Sequence, residues 1–278
     1  MGKVMERRYI CRNGIVEKTR FAVGENTAVH PRWRKAKSSQ DKREENQRQA
    51  IRELARVFNC NASHEDWFVK LDFAPAAYEK IFAGMNPDEI LVEAQRQGSL
   101  FLRRLKRRVA CKEQLKAVTT ASDMDAETGE LVRVHLHLWI SGAEEQQVRD
   151  AWKLGSCTHM EHLYRQDDYT PLAAYMLEQV RPVPNLKKYI PTRNLEKPVV
   201  EDRVVSGDPA DEVRVQPGAK VLSRTPYREG MVAQYVRYKR REPKKKRGGK
   251  KETGTEGQTG TESIKSCGRS GQHEVNRS

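Results

Sequence analysis

His135 and His137 flank a single leucine inside the run Leu131-Val132-Arg133-Val134-His135-Leu136-His137-Leu138-Trp139-Ile140. On an extended backbone, residues two apart project to the same side. The spacing therefore lays two imidazoles next to each other, which suits joint ligation of one divalent cation. The alternation is that of a strand. Val132, Val134, Leu136, Leu138 and Ile140 make a wholly apolar face that must lie on a core, and Arg133, His135, His137 and Trp139 make the other. A solvated histidine pair is the plain alternative. The unbroken apolar partner face and the flanking Arg133 favour a functional site.

The neighbouring segments must position that strand. Gln114–Ala121 has strand character, and the polar loop Ser122–Glu130 joins it to the histidine strand as a β-hairpin. Glu65–Phe73 alternates Trp67, Val69, Leu71 and Phe73 against Phe68, Lys70 and Asp72 and predicts another strand. Asn86-Pro87-Asp88 caps a helix running to about Arg108, with Gly98 a candidate break. Further helices are expected over Asp41–Phe58, over Ala143–Leu154 closed by Gly155, and from Thr170-Pro171 to Val180. Asn13-Gly14 between β-prone runs signals an N-terminal hairpin, and short strands are expected near Val204, over Val213–Val215 and over Ala233–Lys239. Strands and helices mix without strict βαβ alternation. That predicts an α+β fold, a mostly antiparallel sheet with helices on one face and the opposite face open to a partner.

Charge indicates the partner. The chain has 278 residues, 32% charged and 37% hydrophobic, with a formal net charge of +14. Such a balance favours a polyanion, nucleic acid before membrane. No apolar run is long enough for a bilayer span, and Met1–Arg8 lacks the apolar segment of a signal peptide. The 5 cysteines are odd in number and none is at metal-finger spacing, so they are expected to be reduced thiols of a cytoplasmic protein. Residues 26–40 are polar and basic and predict a loop. Basic blocks after Lys239 and the Thr-Gly-rich run 253–260 predict a disordered tail over 241–278, a solubilising segment or a phosphate clamp. The remainder, 1–240, is expected to form the working domain.

Three segments follow one another in order: Trp67-Phe68-Val69-Lys70-Leu71-Asp72-Phe73, then Val134-His135-Leu136-His137-Leu138, then Ala173-Ala174-Tyr175-Met176-Leu177-Glu178-Gln179. With Asp168-Tyr169, Leu172-Ala173 and the phrase Arg193-Asn194-Leu195-Glu196-Lys197-Pro198, the chain resembles the HUH endonucleases that start rolling-circle replication. Within them it is most similar to initiators related to filamentous-phage gene II protein and to plasmid replication proteins. The resemblance covers roughly residues 5–240. It implies an HUH-type, ferredoxin- or RRM-like antiparallel sheet and a site-specific nickase of single-stranded DNA at a replication origin. Tyr175 would be the nucleophile, leaving a 5′-phosphotyrosine and a free 3′-OH. His135 and His137 would hold Mg2+ or Mn2+, with Mn2+ the more natural imidazole partner. A host helicase and polymerase would act beside it, because no Walker-type phosphate loop is present.

Several positions depart from that pattern. Glu178 stands where many relatives have lysine, Gln179 leaves no second tyrosine, and Lys70 and Asp72 replace threonines of the first motif. The third metal ligand has no clear counterpart. Asp123 is the first choice, with Asp72 and Glu178 as rivals, and Asp123 as a mere turn residue has equal weight. Tyr169 and the more distant Tyr164 are alternative nucleophiles. Trp139 could stack a base or pack at a helix rim. Arg133, Arg193, Asn194 and Lys197 are candidate DNA contacts or, for the last three, a structural loop. The competing functions are a DNA-binding module of the same fold without chemistry, and a metallo-phosphoesterase with no covalent step. Within the HUH class a conjugative relaxase and a single-strand transposase are further alternatives, although relaxases usually carry a three-histidine cluster, which this chain lacks, and the small transposases are usually shorter.

Overall fold

A computed structural model describes residues 3–23, 40–125, 127–184, 186–225 and 233–241. His30, nearly all of the loop expected over 26–40 and nearly all of the tail expected over 241–278 lie outside them. All described residues fall within one contact unit, Met1–Glu242.

The histidine run is the central strand of an antiparallel sheet. This strand, β5, spans Leu131–Ser141, and the other members in chain order are β3 (Trp67–Phe73), β4 (Lys116–Met124), β6 (Gly155–His162) and β7 (Ile190–Pro191). Their spatial order is β6-β3-β5-β4-β7. Val134, Leu136, Leu138 and Ile140 enter a core with Val69, Leu71, Phe73, Ala117 and Ala121 from the flanking strands. Helix α3 (Pro87–Lys106) closes that core with Leu91, Ala94, Phe101 and Leu105. A capping box starts it: the Asn86 side chain accepts from the N–H groups of Asp88 and Glu89, and Glu89 reaches back to the Asn86 N–H. Gly98 does not break the helix. It lets α3 approach the sheet closely, since a Cβ there would stand 2.9 Å from Thr119 Cγ2. Val132, expected in the core, is 40% exposed, at the start of the strand beyond its pairing with β3, which ends at His135.

A second, separate sheet has the order β8-β1-β2-β10-β9, from β1 (Lys3–Ile10), β2 (Ile15–Val23), β8 (Val199–Val205), β9 (Lys220–Thr225) and β10 (Ala233–Lys239). All strand pairs in both sheets are antiparallel. The Asn13-Gly14 turn joins β1 to β2 as read from the sequence, and β10 lies where it was expected. Val213–Val215 is not a strand; Val213 instead packs into a small core with Val16, Val236 and Tyr238.

The single sheet with one open face is corrected on two counts. There are two sheets, and helices cover both faces of the histidine sheet. Helix α1 (Gln40–Asn61) and helix α5 (Thr170–Glu178) lay Leu54, Ala55, Phe58, Ala173, Met176 and Leu177 against Phe68, Val118 and Trp139. The other side of α1 faces the second sheet, where Arg56 donates to the buried Glu17 at 2.7 Å and lies over the Tyr9 ring. Apolar residues point α1 to one sheet and a buried ion pair ties it to the other.

Four elements were not anticipated, the short helix α2 (Pro75–Phe82) and strands β6, β7 and β9. The predicted helix over 143–154 shrinks to α4 (Glu145–Ala151), and Gly155 opens β6 rather than capping a helix. Its role is close approach: a Cβ at Gly155 would lie 2.0 Å from the Asp72 carbonyl oxygen and 2.6 Å from the Ala74 nitrogen. Neither atom is a flexible side chain that could move aside. Gly155→Ala is expected to cost about 1–3 kcal/mol in denaturant unfolding by overpacking; a stability equal to the parent chain would refute that contact.

Among the described residues no helix is long and apolar enough to cross a membrane. The four described cysteines, Cys11, Cys60, Cys111 and Cys157, are free thiols.

Candidate active site

The strand register decides which side chains meet. His137 opposes Lys70 on β3 and Thr120 on β4, while His135 opposes Asp72 and Ser122. Lys70 also opposes His159 on β6. Opposed residues of antiparallel strands share a face. Two rungs therefore cross the sheet side by side, one His159–Lys70–His137–Thr120 and the other Asp72–His135–Ser122. The imidazole centroids of His135 and His137 are 4.7 Å apart, and the rings are 5% and 1% exposed.

Helix α5 brings the phenol. Before its first turn, Asp168 accepts from the backbone N–H and the hydroxyl of Thr170, and Pro171 fits the helix start. Asp168 is itself held by the Asn59 side chain at 3.1 Å and by Arg237 of β10 at 3.3 Å. Ala173, Met176 and Leu177 bury one side of the helix, which turns Tyr175 the other way. Tyr175 is 44% exposed, with its ring centroid 5.5 Å from His137 and 5.6 Å from Phe68. A core role for this tyrosine is thereby excluded. Tyr169 is buried in the second core and its hydroxyl is pushed up by desolvation, while Tyr164 is 76% exposed. Phe68, Lys70, His137, His159, Tyr164 and Tyr175 line a cavity of about 710 Å³.

The imidazoles are held neutral. His137 is pushed down to about 3, first by burial and then by His135, Lys70 and His159 nearby. Burial also lowers His135, against the opposing pull of its bond to the Arg133 carbonyl and of Asp72 and Asp123. A carbonyl only accepts, so the 3.2 Å contact to Arg133 O places the proton on His135 Nδ1 and leaves the Nε2 lone pair free. That is the tautomer and outer contact of a metal-binding imidazole. His137 Nδ1 is buried with no hydrogen-bond partner among the described residues. A cation ligand set would use such an orphaned lone pair, and on this count the pair fits a divalent ion.

This burial makes acid stability testable. A histidine whose folded value lies below its ordinary 6.5 takes up protons more readily when unfolded. Its effect on stability is nil above pH 6.5, and stability is lost as pH falls from 6.5 toward 3. The steepest slope is about 1.4 kcal/mol per pH unit for one such group. In chelator, the melting temperature is expected to drop between pH 7 and 5, and His137→Gln should flatten that drop. Parallel curves for the two proteins would contradict neutral burial of His137.

Asp123, the first choice for a third ligand, lies at an irregularity of β4. β4 slips register between Ser122 and Met124, and the Asp123 carboxylate accepts from Arg181 Nε at 3.1 Å. Arg181 also pairs with Asp88 at the start of α3. One Asp123 oxygen is thus engaged by a cation, while its Oδ1 is buried with no hydrogen-bond partner among the described residues and its charge acts on His135. Among the described residues no three His, Cys, Asp or Glu side chains gather as a metal set. Asp72, opposite His135 and lining the cavity, is a carboxylate on the imidazole face, and Glu161, paired with His159, is another farther along it. Glu178 is exposed at the end of α5.

The proposed DNA contacts scatter. Trp139 is fully buried, donates from Nε1 to Asp66 at 3.1 Å and meets Phe58 edge-on at 5.6 Å. It offers no face to a base, because α1 and α5 cover that end of the strand, so the stacking expectation is corrected. Arg133 is exposed, with its guanidinium over the Tyr78 ring. Asn194 donates to the carbonyls of Glu113 and Leu115 and pins a loop. Arg193 and Lys197 are exposed on that loop, next to the start of β4, where Lys116 opposes Ser141. Six residues of strand separate Ser141 from His135, about 20 Å. The structure does not gather these three at the imidazoles.

Lys70, His159 and its partner Glu161 are members of the site that the sequence did not single out. Lys70 was visible only as a departure from a motif. His159 sits on a strand whose residues, Gly155-Ser156-Cys157-Thr158-His159-Met160-Glu161-His162, carry no apolar alternation to reveal it.

None of the known protein families, curated proteins or solved structures compared with this chain matches it.

Proposed function

We propose that this protein nicks and rejoins single-stranded DNA through Tyr175, as a rolling-circle replication initiator of the HUH type. The observation that carries the reading is the half-exposed phenol of Tyr175 next to His137, at the mouth of a cavity on the imidazole face of the sheet. The phenol oxygen forms a bond to phosphorus, the bond from phosphorus to the 3′ oxygen breaks, the phenol proton leaves and the 3′ oxygen takes one up. A 5′-phosphotyrosine and a primer end for a polymerase result. The reverse reaction rejoins the strand. His135 and His137 would hold a divalent ion, Mn2+ or Mg2+, with Asp72 a carboxylate on the same face. Such an ion supplies Lewis-acid polarisation of the phosphoryl group. The chain's own contribution is placement: β5 fixes the imidazoles, and α5, anchored through Asp168, fixes the phenol.

One observation favours the rival reading, DNA binding without chemistry: among the described residues no third side chain is gathered with the pair into a metal-holding set. Incubation of the full chain with single-stranded oligonucleotides and Mn2+ separates the two. The nickase yields a protein–DNA adduct that survives denaturing electrophoresis and is lost in chelator. Retarded but never covalent complexes would leave the binding module.

A further inference from the structure

Lys70 occupies the middle of β3, opposed by His137 on one side and His159 on the other. It is half-buried and lines the same cavity as Tyr175. Its ammonium makes no hydrogen bond or salt bridge with any described residue; the carboxylates in its surroundings are Asp72 two residues along the strand, Glu161 on the same cavity wall and the more distant Asp125. Of the imidazoles on either side, His159 already holds Glu161 at 3.1 Å, so that carboxylate is committed to the imidazole and not to the ammonium. A half-buried cation that no carboxylate has engaged, in a cavity shared by Phe68, Leu172, Asp72 and Glu161, keeps its donors open to an incoming anion. A lysine is a point-charge ligand for phosphate. The helix that carries Tyr175 provides no cation of its own, since Glu178 is the charged residue of α5.

We propose that Lys70 receives the phosphodiester group that Tyr175 attacks, so that the sheet, not the nucleophile's helix, supplies the fixed positive charge of this site. The inference rests on the nickase reading and names the group that holds its substrate. The phosphate would sit between the β3 ammonium and the α5 phenol, with its developing charge matched before reaction begins.

The test compares the parent chain with Lys70→Met, Lys70→Arg and the double variant Lys70→Met/Glu178→Lys. Two quantities are read: the rate of adduct formation in Mn2+, and the salt dependence of poly-dT binding in chelator. Lys70→Met is expected to slow adduct formation about 100-fold or more. It should also reduce the slope of log affinity against log salt by about 0.7, the value of one single-strand phosphate contact. Lys70→Arg should keep the slope, and the double variant should regain part of the rate by returning a cation to the helix. Parent-like rate and slope in Lys70→Met would overturn the proposal, as would a lost rate with an unchanged slope, which marks a structural role. If the parent chain forms no adduct, the nickase reading fails, and the slope alone then decides whether Lys70 binds phosphate.

Discussion

Tyr175→Phe abolishes adduct formation, by about 10,000-fold or more, as removal of a nucleophile does in enzymes that work through a covalent step. The same variant keeps its stability within about 0.5 kcal/mol of the parent. The basis for separating the two effects is local. The Tyr175 ring contacts Phe68 and His137, contacts a phenylalanine retains, and its hydroxyl has no hydrogen-bond partner among the described residues. Single-strand affinity in chelator should also be nearly unchanged. Cleavage that persists in Tyr175→Phe would point to a phosphoesterase that uses the imidazoles without a covalent intermediate. Tyr164, exposed on the same cavity, is the control: Tyr164→Phe should leave the adduct intact.

The second large effect concerns the imidazole pair. A ligand that binds only the folded state raises stability by about 2.7 kcal/mol at a hundred times its dissociation constant. Mn2+ is therefore expected to raise the melting temperature of the parent chain, and His135→Gln/His137→Gln should lose that rise together with cleavage. The readout does not depend on DNA, so it isolates the ion from the reaction. Asp123→Asn should keep the Mn2+ response, because its carboxylate is held by Arg181, while Asp72→Asn should weaken it. A double histidine variant that Mn2+ still stabilises would place the ion elsewhere.

The alternation of β5 and β3 was legible because each carries one unbroken apolar face, and α3 was legible from its cap and its periodic leucines. The His135–His137 pairing followed from the same period of two. What covers the other face could not be read. A strand pattern states which side chains go together, not whether helices or solvent meet them, and so Trp139 looked outward beside two histidines when it lies in a second core. The second sheet was obscured by charge. Glu6, Glu17, Lys18 and Arg20 are buried there, satisfied by partners such as Arg203 and Arg56 that lie far off in sequence. α2 is a short helix with little to announce it beyond Pro75. β6 lies at a sheet edge with both faces partly exposed, so its residues need not alternate. Missing β6 also hid His159, and with it the rung that surrounds Lys70. The position of Asp123 depended on a register slip in β4, which no local pattern encodes.

The most direct test is to digest the adduct formed with a single-stranded oligonucleotide and to locate the attached nucleotide by mass spectrometry. A phosphodiester-linked nucleotide on the tyrosine of the peptide that contains Tyr175 is the predicted result. A nucleotide on Tyr164 or Tyr169, or an adduct that persists unchanged in the Tyr175→Phe protein, would contradict it.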